Sequence, residues 1–254
     1  MNNLTLPIFL EPIYETELVR VGNNFDGGYI IPSESLINTE ELYSFGLNDN
    51  HSFEKDFHKK TNAKVICFDE SVNFKFFFKK IIFGDFKKIK NYIDYIFFFN
   101  GKEKVHVKKN IVPKNFTISY NPNYHQSIED IRSLMENNNC NKIFFKIDIE
   151  GSEYRLLDQL IKYQNKMTGL VIEFHHADLH LNKIKNFVEK FDLQIVHIHA
   201  NNWGYITASE MPTVFEITFS PKVFNKKINN KKKYPLNIDQ SNHQLFKDLP
   251  LHFK

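Results

Sequence analysis

Carboxylates and imidazoles fall at the ends of successive apolar runs in the second half of this chain. Asp148 and Glu150 close one run, Glu173 with His175 and His176 closes a second, and His197 and His199 close a third. Acids beside imidazoles can relay protons or hold a divalent cation. They do so only if the runs are neighbouring strands with their carboxyl ends on one rim. The segment Ile143-Phe144-Phe145-Lys146-Ile147-Asp148-Ile149-Glu150-Gly151-Ser152-Glu153 is the most informative of the three. It is almost wholly apolar until it breaks into carboxylates around a glycine, as suits a strand buried on both faces of a parallel sheet. Ligands of open α/β sheets bind beyond the carboxyl ends of such strands.

The elements that would position these groups follow from periodicity. Strand-like runs at 42–46, 63–69, 142–149, 169–175 and 193–200 alternate with helical spacing at 52–60, 153–163 and 182–191. That alternation predicts an α/β fold with a doubly wound, mostly parallel sheet. A last run at 214–220 follows too closely for a crossover helix, which predicts an antiparallel strand near one edge. The whole of 1–254 is read as a single domain, with an N-terminal element at 1–40 and an insertion near 71–120. In the insertion, phenylalanines alternate with lysines, and a turn at Asn100-Gly101 before Val105, Val107 and Ile111 suggests a strand pair. A packed insertion with lysine stems over its rim is preferred to a membrane-surface segment. The lysines of 225–233 read as a solvated linker.

Composition narrows the function classes. With 42% hydrophobic and 25% charged residues, the chain is an ordinary globule. A net charge of +3 is too small to imply nucleic acid. Lysines interrupt every apolar stretch before membrane-spanning length, and the N-terminus lacks signal-peptide character. Cys67 and Cys140 have no metal-type spacing and sit in or beside apolar runs, which predicts buried thiols in a reducing cytoplasm. Homo-oligomerisation is left open.

A ligand loop follows the first clear strand. Gly46 permits a tight turn, Asn48 and Asn50 tolerate positive φ, and the helix opening at Ser52 comes next. Val65-Ile66-Cys67-Phe68-Asp69 then ends the second strand in an acid, where doubly wound nucleotide sites hold ribose hydroxyls. The loop lacks GxGxxG, so a dinucleotide is not expected. Arg20-Val21-Gly22-Asn23-Asn24-Phe25-Asp26-Gly27-Gly28-Tyr29-Ile30, residues 44–54 and Lys146-Ile147-Asp148-Ile149-Glu150-Gly151-Ser152-Glu153 together resemble the FkbM-type family of S-adenosylmethionine-dependent O-methyltransferases. Ile172-Glu173-Phe174-His175 and His197-Ile198-His199-Ala200-Asn201-Asn202 fit the family's C-terminal half, and the match spans roughly 20–220. The resemblance implies a Rossmann-like class I methyltransferase fold. It places Gly46, Asn48 and Glu54 near the methionine portion of the cofactor and Asp69 on its ribose, with Asn50 and Asp148 also among the cofactor-binding residues. Asp26 and Gly28 would lie over it. The glycine-poor cofactor loop departs from the family pattern.

Methyl transfer to a hydroxyl needs an oriented acceptor and a proton sink. Asp148, Glu173 and His175 are the candidate catalytic residues. In one scheme Asp148, Glu173 and a histidine such as His175 or His199 hold Mg2+ or Mn2+, which acidifies the hydroxyl. In the other, His175 or Asp148 is the base and no metal binds. Glu153 is assigned to the first helical turn, where it favours the helix dipole. Alternation puts His197 and His199 on one side of their strand, where a single histidine is more often a hydrogen-bonded core residue than a ligand. Asn201, Asn202 and Trp203 combine amides with an aromatic face, which fits a carbohydrate. The expected reaction is O-methylation of a sugar or nucleotide-linked sugar in surface (capsular) polysaccharide biosynthesis. Asp148-Ile149-Glu150 also resembles the acid-x-acid element of metal-dependent glycosyltransferases that use a nucleotide sugar. A binding module without turnover is a third reading, against which the density of ionisable groups argues.

Overall fold

The computed structural model describes residues 4–47, 50–69, 89, 93, 96–99, 105–108, 135–136, 138–228 and 232–254. Most of the 71–120 segment, with its phenylalanines and lysines, lies outside the described residues, as do Asn48 and residues 229–231 of the lysine-rich run.

The apolar runs become the strands β5 (Glu41–Phe45), β6 (Lys64–Phe68), β7 (Val105–Lys108), β8 (Ile143–Ile147), β9 (Met167–Phe174), β10 (Gln194–Ala200) and β11 (Phe215–Ser220) of one sheet. Its order is β7-β6-β5-β8-β9-β11-β10, which is 3-2-1-4-5-7-6 when these strands are counted along the chain. β11 runs antiparallel to both its neighbours, and the other pairings are parallel. This is the doubly wound, mostly parallel α/β arrangement that the alternation of elements predicts. The strand expected near an edge inserts between β9 and β10. The chain reverses its direction of travel across the sheet between β5 and β8, and a topological switch point of this kind opens a crevice at the carboxyl ends.

Of the strand pair expected around Asn100-Gly101, the turn itself and Ile111 lie outside the described residues. Residues 96–99 are helical, and Val105–Lys108 pairs in parallel with β6 as the edge strand of the main sheet. An isolated two-stranded hairpin is at best marginally stable, whereas an added edge strand joins a sheet that already packs a core.

One face of the sheet carries Phe45, Phe145, Ile147, Ile172, Phe174, Ile198 and Ile217, packed with the helices α3 (Leu157–Tyr163) and α4 (Ala177–Lys190). The opposite face carries Leu42, Val65, Cys67, Phe144 and Val171 under α2 (Ser52–Thr61), the antiparallel β3 (Leu18–Gly22) and β4 (Gly28–Pro32). Cys67 is buried there and Cys140 is half-buried, both as free thiols. On this second face the hairpin is held by Thr218, whose Oγ1 donates to Ile30 O at 2.6 Å. The chain ends meet where β1 (Leu4–Leu6) pairs in parallel with the strand Leu251–Phe253. Among the described residues no helix is long and apolar enough to cross a membrane.

Candidate active site

Register aligns the chemistry. His199 pairs with Glu216 and Glu216 with Glu173, while Ile147 pairs with both Ile172 and Phe45. Asp148, Glu173 and Gly46 therefore stand at one level on neighbouring strand ends, around a cleft of about 750 Å3.

Gly46 (φ 82°) makes the crevice possible, because a Cβ there would lie 1.6 Å from the Asp148 carbonyl oxygen. Asp69 ends β6 as expected and accepts the Leu47 N–H at 2.7 Å, which orders the loop it borders. Glu54 rises from α2, accepts the Ser44 hydroxyl at 2.5 Å on Oε1 and leaves Oε2 buried without a partner among the described residues. Burial pushes its carboxyl up, against the pull of Lys146. Asn50 braces the loop to the β3–β4 turn, donating to Asp26 O at 2.8 Å and accepting from Asn23 Nδ2 at 3.2 Å. Asp26, Gly46, Asn50, Glu54 and Asp69 all line the cleft, whereas Gly28 does not. Gly28 is buried inside the hairpin, where a Cβ would meet Asn23 O at 1.9 Å, so its expected contact with a ligand is corrected to a backbone role. Gly27 lines the cleft instead.

Three side chains that sequence reasoning did not assign to the site complete the centre. Lys146, buried within β8, donates to Gly46 O at 2.6 Å, and its Nζ stands 3.4 Å from Asp148 Oδ2. Tyr29, from the hairpin, donates to the same Asp148 oxygen at 2.8 Å. Burial opposes the Lys146 charge, but Asp148, Glu54 and Glu173 outweigh it and raise the ammonium's pKa. Burial would also neutralise Asp148, yet Lys146, His175 and the Tyr29 hydroxyl hold it below the usual carboxylate range. A lysine inside an otherwise apolar strand was the available signal, since a buried charge demands a partner. No local pattern pointed to Tyr29.

Glu153 is the third. It opens a 3-10 turn and is fully buried, and its Oε1 accepts from Ile149 N at 3.3 Å, Gly151 N at 3.1 Å and His175 Nδ1 at 2.7 Å. Glu153 does stand in the first turn as expected, a 3-10 turn, but its carboxylate also orients His175. The Nε2 of His175 is left facing Asp148 Oδ1 at 3.9 Å, Glu173 Oε1 at 3.7 Å and Glu150 Oε2 at 3.4 Å. Burial opposes protonation of the ring, but the Glu153 hydrogen bond and the surrounding acids raise it to about 10. Glu173 is raised well above the usual range by burial and by the charges of Asp148 and Glu216.

Asp148, Glu173 and His175 each offer one ligand atom within 4.8 Å of the others. His199 does not join them. Its Nε2 bonds Asp248 at 2.8 Å and its Nδ1 faces Glu216 at 3.9 Å, beneath the C-terminal segment. Of the two histidines considered beside Asp148 and Glu173, His175 is the one that joins them, and His199 is not. His197 is likewise committed, to Asp239 at 3.0 Å. Alternation did put both on one side of β10, but that side is roofed by the C-terminal segment.

Of the residues expected to meet a substrate, Asn201 donates to Glu173 Oε1 at 2.7 Å and accepts from Trp203 N at 2.9 Å. Asn202 accepts from His243 N at 2.7 Å and donates to carbonyls of the same segment. Both amides are engaged within the protein; Asn201 still lines the cleft, whereas Asn202 does not. Trp203 keeps an exposed face at the cleft mouth.

No family model matches this sequence, and no curated protein matches it. Solved structures give remote likenesses. A fibrillarin pre-rRNA processing protein of Methanococcus jannaschii aligns at TM-score 0.39 and 8% identity, covering 84% of this chain and 85% of the other. M. capricolum TrmK in complex with S-adenosyl-homocysteine aligns at 0.38 and 12% identity, covering 81% and 70%. A precorrin-6y methyltransferase of Geobacter metallireducens aligns at 0.37 and 12% identity, covering 74% and 83%.

Proposed function

We infer that this protein is an S-adenosylmethionine-dependent O-methyltransferase of FkbM type. Its acceptor is a sugar or nucleotide-linked sugar, in cytoplasmic steps of surface polysaccharide biosynthesis. The observation that carries the reading is the junction of two half-sites at the switch point. Gly46, Glu54 and Asp69 line one half of the cleft, and Asp148, Glu173 and His175 line the other.

The residues fit the cofactor on a point of chemistry. Glu54 Oε2 is a buried acceptor without a donor among the described residues, an arrangement that costs free energy unless a ligand's cationic amine supplies one. The bound cofactor supplies an electrophilic methyl group, so the protein's part is to place the acceptor and receive its proton. Lys146 and Tyr29 fix Asp148 Oδ2, leaving Oδ1 toward the acceptor. Glu153 holds the His175 proton on Nδ1 and directs Nε2 into the cleft. A neutral His175 takes the hydroxyl proton at Nε2, and Glu153 stabilises the cation that results.

The same tautomer suits a divalent cation, since a metal-bound imidazole usually donates its other N–H to a carboxylate. Asp148, Glu173 and His175 would hold Mg2+ or Mn2+, which would acidify the hydroxyl. Binding would release protons from Glu173 and His175, so affinity would rise with pH. Turnover that survives exhaustive chelation excludes the metal and leaves His175 as the base.

Calorimetry with S-adenosylhomocysteine tests the reading directly. Saturable binding is expected, weakened by Glu54→Gln. Binding of a nucleotide sugar without any binding of S-adenosylhomocysteine would instead establish a glycosyltransferase.

A further inference from the structure

The loop from β10 to β11, residues 201–214, borders the reaction centre. In the sheet order it lies beyond β8 and β9, on the side away from Gly46 and Asp69. Its backbone is fixed. Asn201 N donates to Val214 O at 3.1 Å, Ile206 bridges Pro212, and Thr213 donates to Tyr205 O through both N and Oγ1 at 2.9 Å. Asn201 ties the loop to the chemistry, because the side chain that donates to Glu173 also accepts the Trp203 N–H. On this braced frame Trp203 is 63% exposed and Tyr205 84% exposed, and both line the first cleft. Large rings left in water on a rigid backbone can take a ligand's apolar face with little further ordering.

A second cleft, of about 1090 Å3, opens beside the first, and Asp26, Asn50 and Trp203 form their shared border. The mechanism above leaves it unused. Its charged lining is Asp26 and Asp56 against Lys55 and Lys59, so the formal charges cancel. Asp26 and Lys55 each have a partner within the protein, and Asp56 is held by Lys60 at 3.0 Å and by Gly22 N at 3.2 Å. A diphosphate therefore finds no net attraction in this cleft. Asn24 and Gln244 add exposed amides, which match hydroxyls in both donor and acceptor sense. Aromatic rings that lead into a neutral, amide-bearing wall suit an uncharged carbohydrate.

We propose that the acceptor is a neutral oligosaccharide, longer than a single sugar, that runs from the first cleft over Trp203 and Tyr205 into the second. The sugar to be methylated lies beside Asp148 and His175, its neighbour stacks on the rings, and the rest of the glycan occupies the second cleft. Methylation then follows glycosyl transfer, the class of reaction that must supply such an acceptor. The proposal rests on the methyltransferase reading and narrows its acceptor from any sugar to an assembled glycan.

Trp203 is the sole tryptophan of the chain, so its fluorescence reports on the border without labelling. The protein is first saturated with S-adenosylhomocysteine. It is then titrated with glucose, galactose, mannose and N-acetylglucosamine, with their linear di-, tri- and tetrasaccharides, and with their nucleoside diphosphate derivatives. In at least one series affinity should rise by about tenfold or more from the single sugar to the trisaccharide. Every nucleotide-linked sugar should bind more weakly than that trisaccharide. Tyr205→Ala keeps the reporter and should lose most of the gain with length. Asn24→Ala/Gln244→Ala, shown by circular dichroism to be folded, should weaken the tri- and tetrasaccharides and keep its affinity for S-adenosylhomocysteine. The proposal is overturned by a nucleotide-linked sugar that binds more tightly than every oligosaccharide, by no gain with length in any series, or by a gain that both variants retain. Failure of the wild-type protein to bind S-adenosylhomocysteine overturns the methyltransferase reading instead, and this acceptor with it.

Discussion

Replacing Glu153 with Gln isolates the group that sets the state of His175. The native ring keeps its proton to about pH 10, against an ordinary value of 6.5. That gap corresponds to roughly 4–5 kcal/mol of preference for the charged ring. The Glu153 hydrogen bond is the largest of the causes favouring the charge. Gln keeps an oxygen for Nδ1–H but loses the charge, so the ring should fall by about two units. The sign for stability follows from proton linkage. A histidine raised on folding stabilises the protein fully below its unfolded pKa, and that contribution disappears as pH rises through about 10. At neutral pH the variant should therefore be less stable, while the alkaline rise of its rate moves to lower pH. An NMR pH titration of the histidine ring signals, with His175 assigned through His175→Asn, measures the shift without requiring turnover. Titration of the native ring near 6.5, or an unmoved ring in the variant, would refute the reasoning.

Gly46→Ala puts a methyl group into the Asp148 carbonyl at a positive φ, and should cost about 3 kcal/mol or more by thermal unfolding and abolish S-adenosylhomocysteine binding. Lys146→Met leaves Asp148 without its buried cation, and a loss of about 3–5 kcal/mol in chemical denaturation is expected. Glu173 is raised by burial beside Asp148 and Glu216, so its ionisation opposes folding above the ordinary carboxylate range. Glu173→Gln should then raise the melting temperature by a few degrees, about 1 kcal/mol, while turnover is lost. His199, raised to about 9 by Asp248, Glu216 and Asp239 against its burial, pins the C-terminal segment. This contribution is complete below the ordinary histidine value and vanishes as pH passes about 9. Hydrogen exchange at 242–249, corrected for intrinsic rates, should accelerate across that interval and lose the step in His199→Asn.

The main strands were legible because a strand buried on both faces must be continuously apolar, and runs near Phe45, Ile147 and Phe174 end where that requirement ends. Helical spacing likewise disclosed α2 and α4. Val105–Lys108 was recognised as extended but paired wrongly, because alternation says nothing about which edge a strand joins. The insertion of β11 between β9 and β10 was equally hidden: a short connection implies antiparallel direction, and it fits either side of a neighbour.

In the site, Asp148, Glu173 and His175 could be named from their distance beyond apolar runs. His199 satisfied the same rule and belongs elsewhere, because Asp248, 49 residues onward, reaches its ring first. The amides of Asn201 and Asn202 were read as free for the same reason, their partners being distant in sequence.

Chain order alone thus determined which strands exist, which way most of them run and which acids stand at their ends, since those depend on local periodicity and burial. Tertiary structure decided which imidazole meets those acids, that Tyr29 crosses 119 residues to Asp148, and that Lys146 and Glu153 are electrostatic supports. Those outcomes depend on which distant partner satisfies a buried charge, a competition settled only when the layers close over it.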